Sequence, residues 1–326
     1  MAARTIASSA TRTRSIAFYQ GGKSFYTRAV DEVLAEIERL PGRHLYFLDD
    51  HLLGHRRFAA TLFAGMRGMG RVFQGASTVN AILDSDLIEQ AAEAGMRSVF
   101  IGFETLNPEN LRRHAKRQNL ARNYDEVIRR VHSLGIMVNG SFVFGLDDDD
   151  ADVFDRTVEW AISRSVETAT FHIMTPYPGT SLHSRLAGEG RITDANWDHY
   201  DTRHVVYQPR RLRPEQLLAG YRRAYRDFYR WNAIARGAAG QPTARQAARH
   251  LAYAGGWKRL EPLWDLVIRA RRVNTMLPVL EATLDAFVGI GRSNRVAPQS
   301  IRAGRQRGPT SASLPEPPAT SSPSLP

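Results

Sequence analysis

The residues most able to do chemistry follow short apolar runs. Ser98–Asn107 reads Ser-Val-Phe-Ile-Gly-Phe-Glu-Thr-Leu-Asn, and Glu104 stands just past the run Val99-Phe100-Ile101. A carboxylate at the C-terminal end of a buried parallel strand is where α/β folds place ligand and acid–base groups. The competing reading is that Glu104 satisfies backbone donors at the turn, and the sequence leaves both open. Asp49, Asp50, Ser77, Asn80, Asn139, Ser141 and Thr175 occupy the same position after other apolar runs. If those runs are parallel strands, all gather at one rim as a polar pocket. Asp147–Asp150 invites a metal, but an acidic run before a helix more commonly serves the helix dipole and caps. His51 and His55 have the i, i+4 spacing of a zinc pair, yet no Glu follows His51 and Gly54 lies between them.

The elements that must carry these residues alternate. Ala29–Leu40 is amphipathic, with Val30, Val33, Leu34, Ile37 and Leu40 on one face, and Pro41-Gly42 ends it. Strands are expected at 45–48, 72–76, 98–103, 136–144 and 169–174, with helices at 56–69, 86–94, 124–134 and 153–163 between them. Asn107 is expected to cap the helix opened by Pro108. Helix–strand alternation without a hairpin signal implies a parallel sheet with right-handed crossovers, an α/β fold. Beyond Arg191 the character changes to helical segments rich in Arg and aromatics, at 221–231, 244–253, 263–272 and 275–287. Four regions follow: 1–16 disordered or damaged, 17–190 the alternating α/β region, 191–290 a helical extension, and 291–326 a disordered Pro/Ser/Arg tail.

Composition narrows the function classes. The net charge of +11 in 326 residues sits largely in Arg-rich segments from Arg210 onward and in the tail, without the base-stacking aromatics of a nucleic-acid groove. No apolar stretch approaches the ~20 residues that cross a bilayer, and the first residues lack a signal-peptide core, so a cytoplasmic location is expected. Cysteine is absent from the sequence. That removes disulfides, thiolate metal sites and any iron–sulfur cluster with the usual ligands.

The order of motifs resembles the radical S-adenosylmethionine enzymes, within them the group that often carries an N-terminal cobalamin-binding domain. The resemblance rests on Phe47-Leu-Asp-Asp-His, Ser77-Thr-Val-Asn, Phe100-Ile-Gly-Phe-Glu-Thr and Gly140-Ser-Phe-Val-Phe-Gly-Leu-Asp. It continues through Thr175-Pro-Tyr-Pro-Gly-Thr, Glu189-Gly-Arg-Ile and Asn196-Trp-Asp-His-Tyr-Asp, covering roughly Phe18 to Trp231. It implies a partial (β/α)6 barrel and a small-molecule substrate. It also implies contacts to S-adenosylmethionine: Asp49 and Asp50 at its amino group, Glu104 near the ribose and Lys116 at the methionine carboxylate. Ser77 belongs to the same rim. The strand Gly140–Gly145, including Ser141, lies along the adenosyl group, and Thr175 and Pro176 flank the adenine.

One departure bears on function. The resemblance implies a CxxxCxxC loop within about Ile6–Arg14, and that window reads Ile-Ala-Ser-Ser-Ala-Thr-Arg-Thr-Arg. In the family three thiolates hold a 4Fe–4S cluster whose fourth iron takes S-adenosylmethionine, and Ser or Thr oxygens are poor substitutes. The chain is therefore expected to be a radical S-adenosylmethionine family protein without its cluster loop, its start truncated or frame-shifted. As written it is expected to be inactive, with cobalamin bound only through a domain this chain lacks. Two alternatives stand: a non-catalytic barrel remnant acting as a binding module, and a metal-dependent hydrolase using Asp49, His51, His55 and His172.

Overall fold

A computed structural model describes residues 27–107, 109–110 and 121–258. The expectations for the first 16 residues, Lys116, the helices at 263–272 and 275–287, and the tail lie outside them. The order is α1 (Val30–Arg39), β1 (His44–Tyr46), α2 (Arg56–Met66), β2 (Val72–Ser77), α3 (Val79–Leu83), α4 (Leu87–Ala94) and β3 (Met96–Glu104). Then come α5 (Ala121–Ser133), β4 (Met137–Phe144), α6 (Val153–Ser163), β5 (Thr168–Ile173) and α7 (Ser181–Gly188). A 3-10 turn (Trp197–His199) precedes α8 (Pro214–Phe228), α9 (Trp231–Ala239), α10 (Ala244–His250) and a π-helix (Leu251–Lys258).

The strands form one sheet in sequential order β1-β2-β3-β4-β5, with every pairing parallel. This is the parallel sheet expected from the alternation and the open, partial barrel that the resemblance implies. Parallel strands need covered faces, and the helices cover one of them. Phe103, Phe142, Phe171 and Phe144 stack across neighbouring strands on that face, with ring centroids 5.5, 5.7 and 5.5 Å apart. Trp160 of α6 closes edge-on over Phe103 and Phe142, and Tyr124 of α5 over Phe103. These rings, all fully buried except the partly buried Trp160, supply a large part of the apolar area that holds helix to sheet.

The last strand is sealed by side chains. Tyr229 Oη accepts from Ala169 N at 3.0 Å and donates to Ala169 O at 2.8 Å. One helical turn earlier, Tyr225 Oη does the same for Phe171, at 3.0 and 3.1 Å. Ile173 N is taken by Thr202 O at 2.8 Å. The outward backbone groups of β5, which an edge strand normally leaves unpaired, are thus satisfied without another strand. At the other edge, Tyr46 at the end of β1 and Leu48 just after it are exposed.

The helix expected at 221–231 is two helices. α8 begins at Pro214 and stops at Phe228, and α9 starts at Trp231. The five-residue α3 and the short α7 were not expected. An antiparallel bridge between Ile192 and Tyr207 ties the segment after α7 into a strap.

Candidate functional site

Residues in register on parallel strands point to the same face. Ser77, Ile101, Gly140 and Ala169 form one register row, and Ile101 and Ala169 are fully buried in the helix-covered core. A Cβ on Gly140 would lie 3.1 Å from Phe142 and 3.2 Å from Phe103, both rings of the aromatic layer. Gly140 therefore faces the helices, where its lack of a side chain lets those rings close over the sheet. The next rows face the concave side: Ala76, Phe100, Asn139 and Thr168; then Gly102, Ser141 and Thr170; then Val143 and His172.

Glu104 joins these rows through a distortion. The register between β3 and β4 slips between Gly102 and Glu104, and Glu104 has φ 66°, in the left-handed region. For a non-glycine residue that conformation costs on the order of 1 kcal/mol or more and is concentrated at functional sites. It folds the carboxylate back over the strand, so that a Cβ on Gly102 would sit 2.6 Å from Glu104 Oε1. The side chain is 2% exposed. Three donors of the turn go elsewhere: Thr105 N to Phe103 O, Asn107 N to Thr105 Oγ1, and Glu109 N to Asn107 Oδ1. Asn107 is thus the cap its sequence position suggested.

Beside Glu104, Asn139 Oδ1 and Ser141 Oγ are buried with no hydrogen-bond partner among the described residues. Buried polar atoms are nearly always paired, so two adjacent exceptions on one face mark a place for a polar ligand. Further toward the rim, His172 Nδ1 lies 3.1 Å from Thr202 Oγ1. Thr202 also has a positive φ of 68°, and its carbonyl holds Ile173 N. The two strained positions Glu104 and Thr202 thus serve the same end of the sheet. Thr202 was missed in the sequence. The concave role of His172 was legible in Thr168-Ala-Thr-Phe-His-Ile, where polar and apolar residues alternate with period two.

Other predicted residues are placed differently. Ser77 lies in the helix-facing row and its hydroxyl donates to Thr78 O at 3.4 Å. Gly145, with φ 93°, has its backbone committed: its N–H donates to Asp149 Oδ2 at 2.9 Å and its carbonyl accepts from Tyr207 Oη. Asp49 and Asp50 are exposed in the segment after β1. Thr175 and Pro176 are buried just after β5, and Thr175 Oγ1 donates to Ile173 O at 3.1 Å. His55 Nδ1 accepts from Phe58 N at 3.1 Å and caps α2, and His51 Nε2 is 3.4 Å from Thr78 Oγ1. Among the described residues no group of three or more His, Cys, Asp or Glu side chains is arranged to hold a metal ion.

The acidic run does more than cap. The N-cap of α6 is Asp152, and only Asp150 serves the first turn, accepting Asp152 N at 3.2 Å and pairing with Arg156 at 2.7 Å. Asp149, fully buried, accepts Gly145 N, Leu146 N and Asn110 Nδ2 at 2.9, 3.0 and 2.7 Å. Burial pushes its carboxyl up to about 7, against the pull of those donors. Asp148 N donates to Asn110 Oδ1 and Asn107 Nδ2 to Asp148 O, which laces the turn after β3 to the turn after β4. Asp147 is held low by Arg185 and Arg191, although its burial opposes them. The expectation that this run serves the helix N-terminus is corrected: three of its members build the rim.

The family model of the Radical SAM superfamily matches residues 10–161. Bacteriochlorophyllide d C-12(1)-methyltransferase of Chlorobaculum tepidum is 32% identical over 227 residues, 68% of this chain and 49% of that protein. Bacteriochlorophyllide d C-8(2)-methyltransferase of the same organism is 28% identical over 160 residues, 48% of this chain and 35% of that protein. The chain thus spans half the length or less of these curated relatives. The radical S-adenosylmethionine methyltransferase TsrM from Kitasatospora setae, solved with cobalamin and a [4Fe-4S] cluster, matches with TM-score 0.44 and 15% identity, covering 50% of this chain and 32% of that one. Among the described residues no helix is long and apolar enough to cross a membrane.

Proposed function

Taking as premise that this chain belongs to the radical SAM superfamily, we propose that its concave face binds S-adenosylmethionine without cleaving it reductively. The donor set divides the family's cofactors. A 4Fe–4S cluster needs soft anionic thiolates, and this chain contains no cysteine, so its residues do not fit that group. S-adenosylmethionine fits better. Its ribose hydroxyls and amino group are hydrogen-bond donors, and Glu104, Asn139 and Ser141 present a carboxylate and two unpartnered polar atoms on one face. The positive φ that lays Glu104 over Gly102 is the observation that carries the reading. Asp49, Asp50, Thr175 and Pro176 are the further contacts the family resemblance suggests, with Lys116 at the methionine carboxylate. Ser77, Gly140 and Gly145 act on this reading through the shape of the sheet. In a whole protein the relatives' names point to methyl transfer onto a small molecule, the chemistry this fold would serve once a cluster-bearing segment is supplied.

The test is equilibrium dialysis of the chain against S-adenosylmethionine, repeated with Glu104→Gln and Ser141→Ala. Saturable binding weakened about tenfold by Glu104→Gln is expected, since a charge-assisted hydrogen bond contributes roughly 1.5–3 kcal/mol. Absence of binding to the folded chain, or binding indifferent to both substitutions, would sink the proposal.

A further inference from the structure

The N-terminal ends of the strands carry a second polar cluster that the concave site does not use. Glu167, immediately before β5 and 1% exposed, is its hub. Its Oε2 accepts Val138 N at 2.8 Å and lies 3.2 Å from His132 Nε2, and its Oε1 accepts Gln241 Nε2 at 3.0 Å. Gln246 Nε2 donates to His132 O at 2.7 Å and fixes α10 over the end of α5. On α10, one turn after Gln246, stands Arg249, only 6% exposed. Its Nε and Nη2 are buried with no hydrogen-bond partner among the described residues. Glu167 attracts it, but both Glu167 oxygens already accept other donors. Arg97 at the start of β3 and the exposed Arg245 add like charge near it.

A buried guanidinium without bonded partners is costly, and natural proteins keep one only where something pairs with it. The identity of the unpaired atoms narrows what that is. Nε–H and Nη2–H are parallel donors on one edge of the guanidinium, the pair that grips two oxygens of a planar or tetrahedral oxyanion. A π-helix begins at Leu251, two residues on, and such irregular turns are frequent where helices build sites. From Arg97 to Glu104 the strand runs about 20 Å at roughly 3.3 Å per residue, so the cluster is remote from the concave site.

We propose that Arg249, with Arg97 and Arg245 around it, forms an oxyanion-binding site at the N-terminal end of the barrel, taking a carboxylate or phosphate group on the Nε/Nη2 edge. Inorganic phosphate and acetate are the two probes, titrated separately into the full chain by calorimetry, with sodium chloride at matched ionic strength as control. At least one probe binds saturably and raises the melting temperature beyond chloride, and the tighter of the two assigns the ligand class. Arg249→Lys keeps the charge but loses the two-donor edge and weakens binding at least tenfold. Arg245→Gln, at an exposed position, leaves folding intact and weakens binding a few-fold. No saturable binding of either probe to the wild-type chain overturns the proposal. So does unchanged affinity in folded Arg249→Lys, or, should that variant not fold, in Arg245→Gln.

Discussion

Replacing Tyr229 by Phe removes one hydroxyl and unpairs two backbone groups at once. Ala169 N and O bond to Tyr229 Oη at 3.0 and 2.8 Å in a buried setting that water does not reach readily. A buried polar group left unsatisfied costs about 1–3 kcal/mol, and relaxation recovers part of it, so the loss is expected at about 2 kcal/mol. The same change at Tyr225, whose bonds to Phe171 are only part-buried, admits water and is expected to cost about 1 kcal/mol or less. Tyr225 lies in the last turn of α8 and Tyr229 is its C-cap, and both bond the same strand, so the double variant need not be additive. For a chain of this size each kcal/mol moves the melting point by about 2–4 °C. Thermal and urea unfolding of both variants measures the ranking. Gel filtration of the double variant tests whether the bared edge of β5 recruits a second chain. Equal stabilities for Tyr229→Phe and wild type, or a larger loss at Tyr225 than at Tyr229, would refute the claim that these hydroxyls stand in for a neighbouring strand.

Gly140→Ala drives a methyl against Phe142 and Phe103 at 3.1–3.3 Å and is expected to destabilise by about 1–3 kcal/mol, read in urea midpoints. Asp149 titrates higher in the folded chain, near 7, than its unfolded value of about 3.9. Its contribution is therefore fully present below about pH 4 and is lost as pH rises toward and through about 7, with a slope on the order of 1 kcal/mol per unit within that window. Unfolding curves from pH 4 to 8 should show this slope in wild type and lose it in Asp149→Asn. That variant is also expected to be less stable throughout, because its NH2 group opposes either Asn110 Nδ2 or the backbone donors.

Much of the barrel is legible in the sequence because its signals are local. The five strands appear within one or two residues of the apolar runs that announce them, and Val153–Ser163 falls as expected. Glu104 was legible as a strand-end carboxylate, but its direction was not, since the left-handed turn depends on a register slip against β4. Gly140 and Ser141 are neighbours in sequence and stand on opposite faces of the sheet, which the motif alone does not convey. The role of Asp147–Asp149 depends on Asn107 and Asn110, about 40 residues away, and on Arg185 and Arg191. The break between α8 and α9 carries no Gly or Pro to signal it. It falls at Tyr229-Arg230, just where Tyr229 is bonded to β5.

On the proposed reading this chain keeps the fold and a face for S-adenosylmethionine but, having no cysteine, no thiolate to hold a cluster. Anaerobic reconstitution with iron and sulfide tests it, followed by metal analysis and detection of 5′-deoxyadenosine after adding S-adenosylmethionine and dithionite. Iron and sulfide well below stoichiometric and no 5′-deoxyadenosine are expected, while S-adenosylmethionine still binds. Stoichiometric iron and sulfide with 5′-deoxyadenosine formation would contradict it.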